Sequence, residues 1–497
     1  MFRMTFGLAA PVLVLLMGGT AHAALTADQI WQSWKNAGAL AGLEVKAATE
    51  NKDGAALTLN GVTIGPAGKS GVSISDMVLT EASDGSVIIV PGADIKLALS
   101  GETKGTSKIT HQGLTLTARE AEGGIAYDFA ATKLDVVYDT TYPATPSVDG
   151  TTPPDVASKG TVTLADLSGT YSDVPGALRT FGIDIAAGML AYDTSLDDPS
   201  LEMKQQTKSE TLDLVASFDL ALPASLMAGG DPSMVQALTD GLSLAFSTKQ
   251  GKTKGSVAQD SPFFPMSINI AAGAGETSGV FNKDALSVQS SGTGMELAFT
   301  SAMMPAPVKV TSGPLVVNMT SPVIANDAAG DYSLVMKLSQ FSVNEEAWAM
   351  FDPAGALPRD PADLAIEISG KTKIDLAAMV DAENTGAEPP IPAPETLDIK
   401  EMTLKVAGAA FAGTGAFTFD NTAGMPMPLG EANVVVTGAN ALIDGLIGTG
   451  LVTKEDAMGA RMMMGAFMSP GANPDELISK IEAKPGFEIY VNGQRIQ

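Results

Sequence analysis

Polar and apolar residues alternate along most of this chain, in short bursts. Ala56–Ile64 alternates around an Asn60-Gly61 step, and Val72–Leu79, Val87–Val90, Ile95–Leu99 and Leu114–Thr117 follow in the same texture. Each burst is rich in β-formers and bounded by Gly, Asp or Pro, the period-2 signature of antiparallel strands with one buried face. The pattern returns at Lys133–Tyr138, Gly160–Leu167, Thr211–Leu220, Leu242–Ser247, Met266–Ile270, Ala285–Gln289, Met295–Thr300 and Val308–Val310. It continues through Leu315–Met319, Tyr332–Phe341, Leu364–Ile368, Lys373–Leu376, Leu397–Val406, Ala416–Asp420, Ala432–Thr437 and Phe487–Val491, the last followed by an Asn492-Gly493 turn.

Helical spacing is rarer. Thr26 caps a predicted helix over Ala27–Ala37 that puts Ile30, Trp31 and Trp34 on one side. Further helices are expected within Pro175–Gly188, at Asp231–Gly241 with Pro232 at its start, and over Asn440–Ile447, Lys454–Met468 and Pro474–Glu482. Tyr142–Gly160 and Gly386–Glu395, each with four prolines, read as exposed loops. The expected fold class is mainly β, a β-rich α+β arrangement. It pictures a large curved antiparallel sheet or groove with a few helices, mostly N- and C-terminal.

The first 23 residues change the picture of where this fold works. Arg3, the apolar run Phe6–Met17 and the small-x-small triplet Ala21-His22-Ala23 read as a signal peptide cleaved after Ala23. The run is shorter than the roughly 20 residues that span a bilayer, and no later stretch is long and apolar enough. Residues 24–497 are expected to form an elongated β-rich domain in the periplasm. The helix and turns of Ala221–Pro265 offer a division into two lobes, about 24–222 and 262–497.

Composition narrows the chemistry. A net charge of −26 disfavours nucleic acid and anionic surfaces. The absence of Cys removes thiol nucleophiles, iron–sulfur sites and Cys-ligated zinc. Loss of His22 with the leader leaves His111 alone, which excludes a single-chain metal site built on two His. No cofactor is expected. The acidic groups Asp193, Asp197, Asp198 and Asn326, Asp327, Asp331 match no calcium loop and read as solvated turns. His111 reads as a turn or strand-edge residue, since a hydrolytic role needs a Ser and an acid that nothing local supplies.

Two features carry more. Asp352, Arg359 and Asp360 stand among Pro353, Pro358 and Pro361, where an Arg between carboxylates either pins a rigid corner or recognises a substrate. The chain also has 24 Met against 27 aromatics, with Met458, Met462, Met463, Met464 and Met468 crowding one predicted helix. Soft, unbranched side chains suit either helix-on-sheet packing or a surface that accepts varied apolar shapes. Met303-Met-Pro305 and Met425-Pro-Met-Pro428 read as apolar loop tips.

Trp348-Ala-Met-Phe-Asp-Pro353, Leu357-Pro-Arg-Asp-Pro361, Gly430-Glu-Ala-Asn433, Leu442-Ile-Asp-Gly-Leu446 and Val491-Asn-Gly493 resemble an uncharacterised bacterial envelope family, domain of unknown function 2125. Its texture is also distantly similar to AsmA-like envelope proteins. That resemblance implies a long curled sheet with an apolar groove, associated with lipid transport or membrane homeostasis.

The leading expectation is therefore a non-enzymatic periplasmic protein that binds an apolar ligand or lipid in a β-groove, with the methionines of 458–468 among the lining. The alternative is a structural or assembly module that binds an envelope protein partner through sheet edges. A hydrolase using His111 and an outer-membrane barrel rank lower, the barrel because aromatics make up only 5% of the chain.

Overall fold

The computed structural model describes residues 24–497 except 41, 67–70, 100–102, 122, 145–153, 228–231, 305, 325–327 and 423–424. The described residues form 29 strands and seven helices, with antiparallel pairing throughout the registers that follow. The mainly β, antiparallel class expected from the alternation holds. The two longest helices, of 14 residues each, lie near the two ends of the chain. The chain divides into two compact units. One comprises the described residues of 24–227, 248–269 and 301–303, and the other the remaining described residues.

The first unit is organised around helix α1 (Ala27–Leu40). Thr26 and Gln29 form a capping box. The Thr26 hydroxyl accepts the Gln29 N–H at 3.3 Å, and the Gln29 side chain accepts the Thr26 N–H at 2.8 Å. Ile30, Trp31 and Trp34 are buried, as their spacing required, against Leu57, Leu59, Leu79, Ile89 and Tyr127 of the strands below. Among the described residues it is the larger of the unit's two buried clusters.

Beyond that core the strands are longer than the alternation suggested. Gly124–Tyr142, Val156–Val174, Leu178–Asp198 and Met203–Pro223 run for 19 to 21 residues. Alternation predicts only Lys133–Tyr138, Gly160–Leu167 and Thr211–Leu220 within three of them, and no strand in Leu178–Asp198, because each strand slips phase by one residue near its middle. Ile125, Tyr127, Phe129 and Ala131 are the large residues of one phase, and Leu134, Val136 and Tyr138 those of the next. The slip falls on a cross-strand line through Thr132, Asp166, Gly188 and Asp213. Asp166 and Asp213 both sit at φ 51° there. An extra residue at a bulge turns the following side chains over. The simultaneous slip in sequence turns them back, so apolar residues stay on one side. Packing shows it: Phe129, Ala131 and Leu167 cluster with Leu134 and Leu164 from beyond the slip.

The second unit repeats the device. The strands Ala285–Gly292 and Met295–Ser301 are interrupted at Thr293-Gly294, and Val308–Ser312 and Leu315–Pro322 at Gly313-Pro314. Gly273 N–H donates to Gly294 O at 2.9 Å, and Gly313 N–H to Ser339 O at 2.8 Å. In Gly330–Val343 the break is Gln340, at φ 53°, whose N–H donates to the Asp363 carboxylate. Leu334, Met336 and Leu338 precede it, and Phe341 and Val343 resume one residue out of phase.

The helices correct several expectations. Pro175–Gly188 holds no helix but the turn into Leu178–Asp198, where Phe181, Ile183 and Ile185 already alternate. Pro474–Glu482 gives the strand Glu476–Lys484. Leu477, Ile478 and Ile481 are spaced as on a helix, but pairing of Ala432 with Ile481 and Val436 with Leu477 overrides local propensity. Lys373–Leu376 is not a strand: Lys373 ends one, and Asp375 caps the helix Leu376–Thr385 by accepting the Ala378 N–H at 2.8 Å.

In chain order the helices after α1 are α2 (Ala224–Met227), α3 (Met234–Thr239), α4 (Glu345–Trp348), α5 (Leu376–Thr385), α6 (Ala439–Thr449) and α7 (Lys454–Phe467). Helix α3 starts after Ser233, which caps it, rather than at Pro232, and Asp231 lies outside the described residues. Of the expected loop Tyr142–Gly160, residues 145–153 lie outside the description, while Val156–Gly160 already belong to the strand Val156–Val174 and pair with Tyr138–Tyr142. Leu238 of α3 joins Val323 and Ala377 in a small buried cluster, and Asp381 of α5 accepts the Met234 N–H at 2.7 Å.

Candidate functional site

The registers of the second unit bring apolar residues into rows that cross the strands. One row runs Leu315, Leu338, Leu364, Leu404, Phe411, Val436 and Leu477. The next runs Val317, Met336, Ile366, Met402, Gly413 and Val434. A third runs Met319, Leu334, Ile368 and Ile399. A bulge between Ile399 and Met402 keeps these two residues in step with Ile368 and Ile366.

No large side chain in these rows reaches the burial of the core. Leu315, Met319 and Leu404 are 41%, 39% and 42% exposed, and the others are half-buried. The rows shield one another within a single layer. Contiguous exposed apolar surface is uncommon on soluble proteins, which makes these rows the candidate site.

The opposite phase of the same strands carries their charges, among small and β-branched residues such as Val316, Val335, Val435 and Ile478. Lys337 lies 3.3 Å from Glu401 and 3.7 Å from Glu367, and Lys400 lies 3.6 Å from Glu367. Lys371 pairs with Asp331 at 3.0 Å and Lys480 with Glu431 at 2.8 Å. A depression of ≈ 310 Å³ opens on this side, lined by Asp331, Ser333, Ser369, Lys371 and Asp398 among others. In the first unit a depression of ≈ 430 Å³ is lined by Asp193, Lys208, Glu210 and Lys254. Both are shallow and lined by paired charges.

The proline-flanked motif is a closed corner. Asp352 is fully buried. Its carboxylate accepts the Ala356 N–H at 2.8 Å, the Leu357 N–H at 2.9 Å and Arg359 Nη1 at 2.5 Å. Burial raises its pKa, but Arg359 and the two backbone donors outweigh that and hold the carboxyl at about 2. The Arg359 guanidinium also stands 4.4 Å over the Trp348 ring. Its second carboxylate is Glu345, at 3.5 Å, rather than Asp360, which is exposed together with Pro353 and Pro361. Leu357 seats the corner on α6, where a Cβ at Gly445 would come within 2.7 Å of its side chain. With both carboxylate oxygens engaged, Asp352 fixes the loop and offers no group to a substrate.

The methionine helix turns outward. Thr453 caps α7, Ala457 is buried, and Arg461 ties α7 to α6 through Asp444 at 2.6 Å. Met464 and Met468 are half-buried, while Met458, Met462 and Met463 are 64%, 70% and 64% exposed. Three of the five therefore form an exposed stripe rather than a packing face. Met303 and Met425 are exposed, as their loop positions suggested.

The remaining candidates are structural or fall outside the description. His111 Nε2 lies 3.0 Å from Gly92 O within the strand Lys104–Gln112. Asp193 pairs with Lys208, Asp197 with Lys204, and Asp198 accepts from Ser200. Asn326 and Asp327 lie outside the described residues. Among the described residues no group of three or more His, Asp or Glu is placed to share a metal ion, and no helix is long and apolar enough to cross a membrane.

The apolar rows were the feature the sequence reading lacked. The signal was present as phase: residues 315–319, 334–338 and 364–368 each alternate, and antiparallel register alone aligns them. Residues 268–483 match the family model described as an uncharacterized protein conserved in bacteria (DUF2125). The three rows lie inside that stretch. No curated protein and no solved structure matches the chain, so the AsmA-like likeness has no support beyond texture.

Proposed function

We propose that this chain, with its DUF2125 stretch, is an exported, non-enzymatic envelope protein that holds the acyl chains of a lipid or similar apolar ligand on the row-bearing face of its second unit. The leader-like residues 1–23 support export to the periplasm, with Ala24 as the first residue of the mature protein. The observation that carries the ligand reading is the alignment of Leu315, Leu338, Leu364, Leu404, Phe411, Val436 and Leu477 in one half-buried row, with two further apolar rows beside it.

Adjacent strands are about 4.8 Å apart, so this row extends roughly 29 Å, room for a long acyl chain laid across the strands. Affinity comes from apolar area removed from water, at about 25 cal/mol per Å². Branched and thioether side chains give a surface without directional polar groups, suited to chains of varied length and unsaturation. The edge strand Thr49–Asp53 makes a poorer site. All five residues of the strand Thr49–Asp53 are exposed, and Glu50, Lys52 and Asp53 charge it in the way that blocks strand addition.

Native mass spectrometry of the full chain, purified without detergent and then extracted with organic solvent, tests the reading. A bound species of defined lipid mass is expected. A clean apo mass, with no saturable uptake of fatty acid by delipidated protein, overturns it and favours the assembly module.

A further inference from the structure

The placement of charge around the apolar rows limits which lipid can occupy them. The strand lysines of the second unit fall in the phase opposite to the rows. Lys337 lies between Met336 and Leu338, Lys371 follows Gly370, and Lys480 lies between Ser479 and Ile481. Lys309 and Lys405 occupy the same out-of-phase positions between Val308 and Val310 and between Leu404 and Val406. Lys337, Lys371 and Lys480 are also committed to carboxylates within 4 Å on that side. Among the described strand residues an anion lowered onto the rows meets no lysine, and an unpaired charge removed from water is strongly unfavourable. At the rim it meets the field of a chain whose net charge is −26.

Resting on the acyl-chain reading above, we infer that the occupant is a lipid with a neutral or zwitterionic headgroup, and that lipids with net negative headgroups are rejected. A zwitterion brings its own counter-charge. It needs no lysine on the face and presents no net charge to the acidic surround. The acyl chains supply the affinity and the headgroup supplies the discrimination.

The test offers the delipidated full chain two kinds of vesicle with identical acyl chains, phosphatidylcholine or phosphatidylglycerol, at low ionic strength. Lipid transferred per protein is read by native mass spectrometry after the vesicles are removed. Phosphatidylcholine is expected to load, and phosphatidylglycerol to load about ten-fold less, with the gap narrowing as salt screens the charge. Equal loading, or a preference for phosphatidylglycerol, overturns the headgroup inference while leaving the apolar face as the binding site. Loading from neither vesicle overturns the acyl-chain reading itself.

Discussion

Tyr332 lies directly opposite Gly370 on the neighbouring strand, and its ring covers the glycine. A Cβ at Gly370 would come within 2.8 Å of that ring and would also run into Thr396 O, to which the Tyr332 hydroxyl donates at 3.1 Å. Phe129 opposite Gly169 and Tyr138 opposite Gly160 repeat the arrangement in the first unit. In each pair the glycine, which alone weakens a strand, makes room for an aromatic ring that restores the lost apolar contact.

Replacing Gly370 with Ala is therefore expected to destabilise the protein by about 1–3 kcal/mol, the usual cost of overpacking. Gly292→Ala is the control, since a Cβ there meets nothing within 4 Å; it should stay within about 0.5 kcal/mol of the parent. Urea unfolding of the two variants separates these values.

The corner at Asp352 should show itself through pH. Its carboxyl is held at about 2, below the ordinary Asp value of about 3.9. A depressed folded pKa contributes stability that is fully present above the unfolded value and lost as pH falls through the folded one. The melting temperature of the parent should exceed that of Asp352→Asn by a constant margin above about pH 4. That margin should close between about pH 4 and pH 2. Arg359→Lys should not restore the parent behaviour, because an ammonium lacks the planar fork that serves Asp352 while stacked on Trp348. A margin that does not depend on pH contradicts the assignment.

Alkaline pH reports on the core of the first unit. Burial pushes the Tyr127 phenol up to about 12, although Trp34 Nε1 donates to its oxygen at 3.2 Å. The unfolded chain ionises near pH 10, so the folded state loses stability as pH rises from about 10 towards 12, by an amount of order 2–3 kcal/mol. Spectrophotometric titration of the folded protein should show Tyr127 unionised at pH 11, and Tyr127→Phe should lessen the alkaline decline in stability, leaving the part due to Tyr171, whose phenol burial also pushes up.

Much of this architecture was legible from alternation alone. The strand at Ile95–Leu99, the α1 helix with its buried Ile30, Trp31 and Trp34, and the two-residue Asn492-Gly493 turn follow from local rules. In that turn both residues take positive φ, 50° and 82°, as a primed hairpin turn demands. The full length of the long strands was not legible, because the slips at Asp166, Gly188 and Asp213 break the alternation and leave one short segment, or in Leu178–Asp198 none, readable in each. Helix α5 carried a readable frame, Asp375 at its start and left-handed Gly386 at its end. The β texture before it, which carried the expected strand as far as Leu376, masked that frame. The apolar rows depend on which strand pairs with which, and no single segment holds that information.

The methionine stripe separates two accounts of where an apolar ligand sits. Met458, Met462 and Met463 project from α7 into solvent, while the rows are built from Leu364, Ile366, Leu404 and their neighbours. Changing the three methionines to Gln removes exposed apolar groups that pack against little, so stability should move by no more than about 0.5 kcal/mol at each site. Lipid loading should be unchanged if the rows hold the chain. Leu404→Asp, at a position already 42% exposed, should cut loading several-fold by placing an unpaired charge in the longest row. Loss of loading in the triple methionine variant, with Leu404→Asp unaffected, would move the binding site from the sheet to the helix.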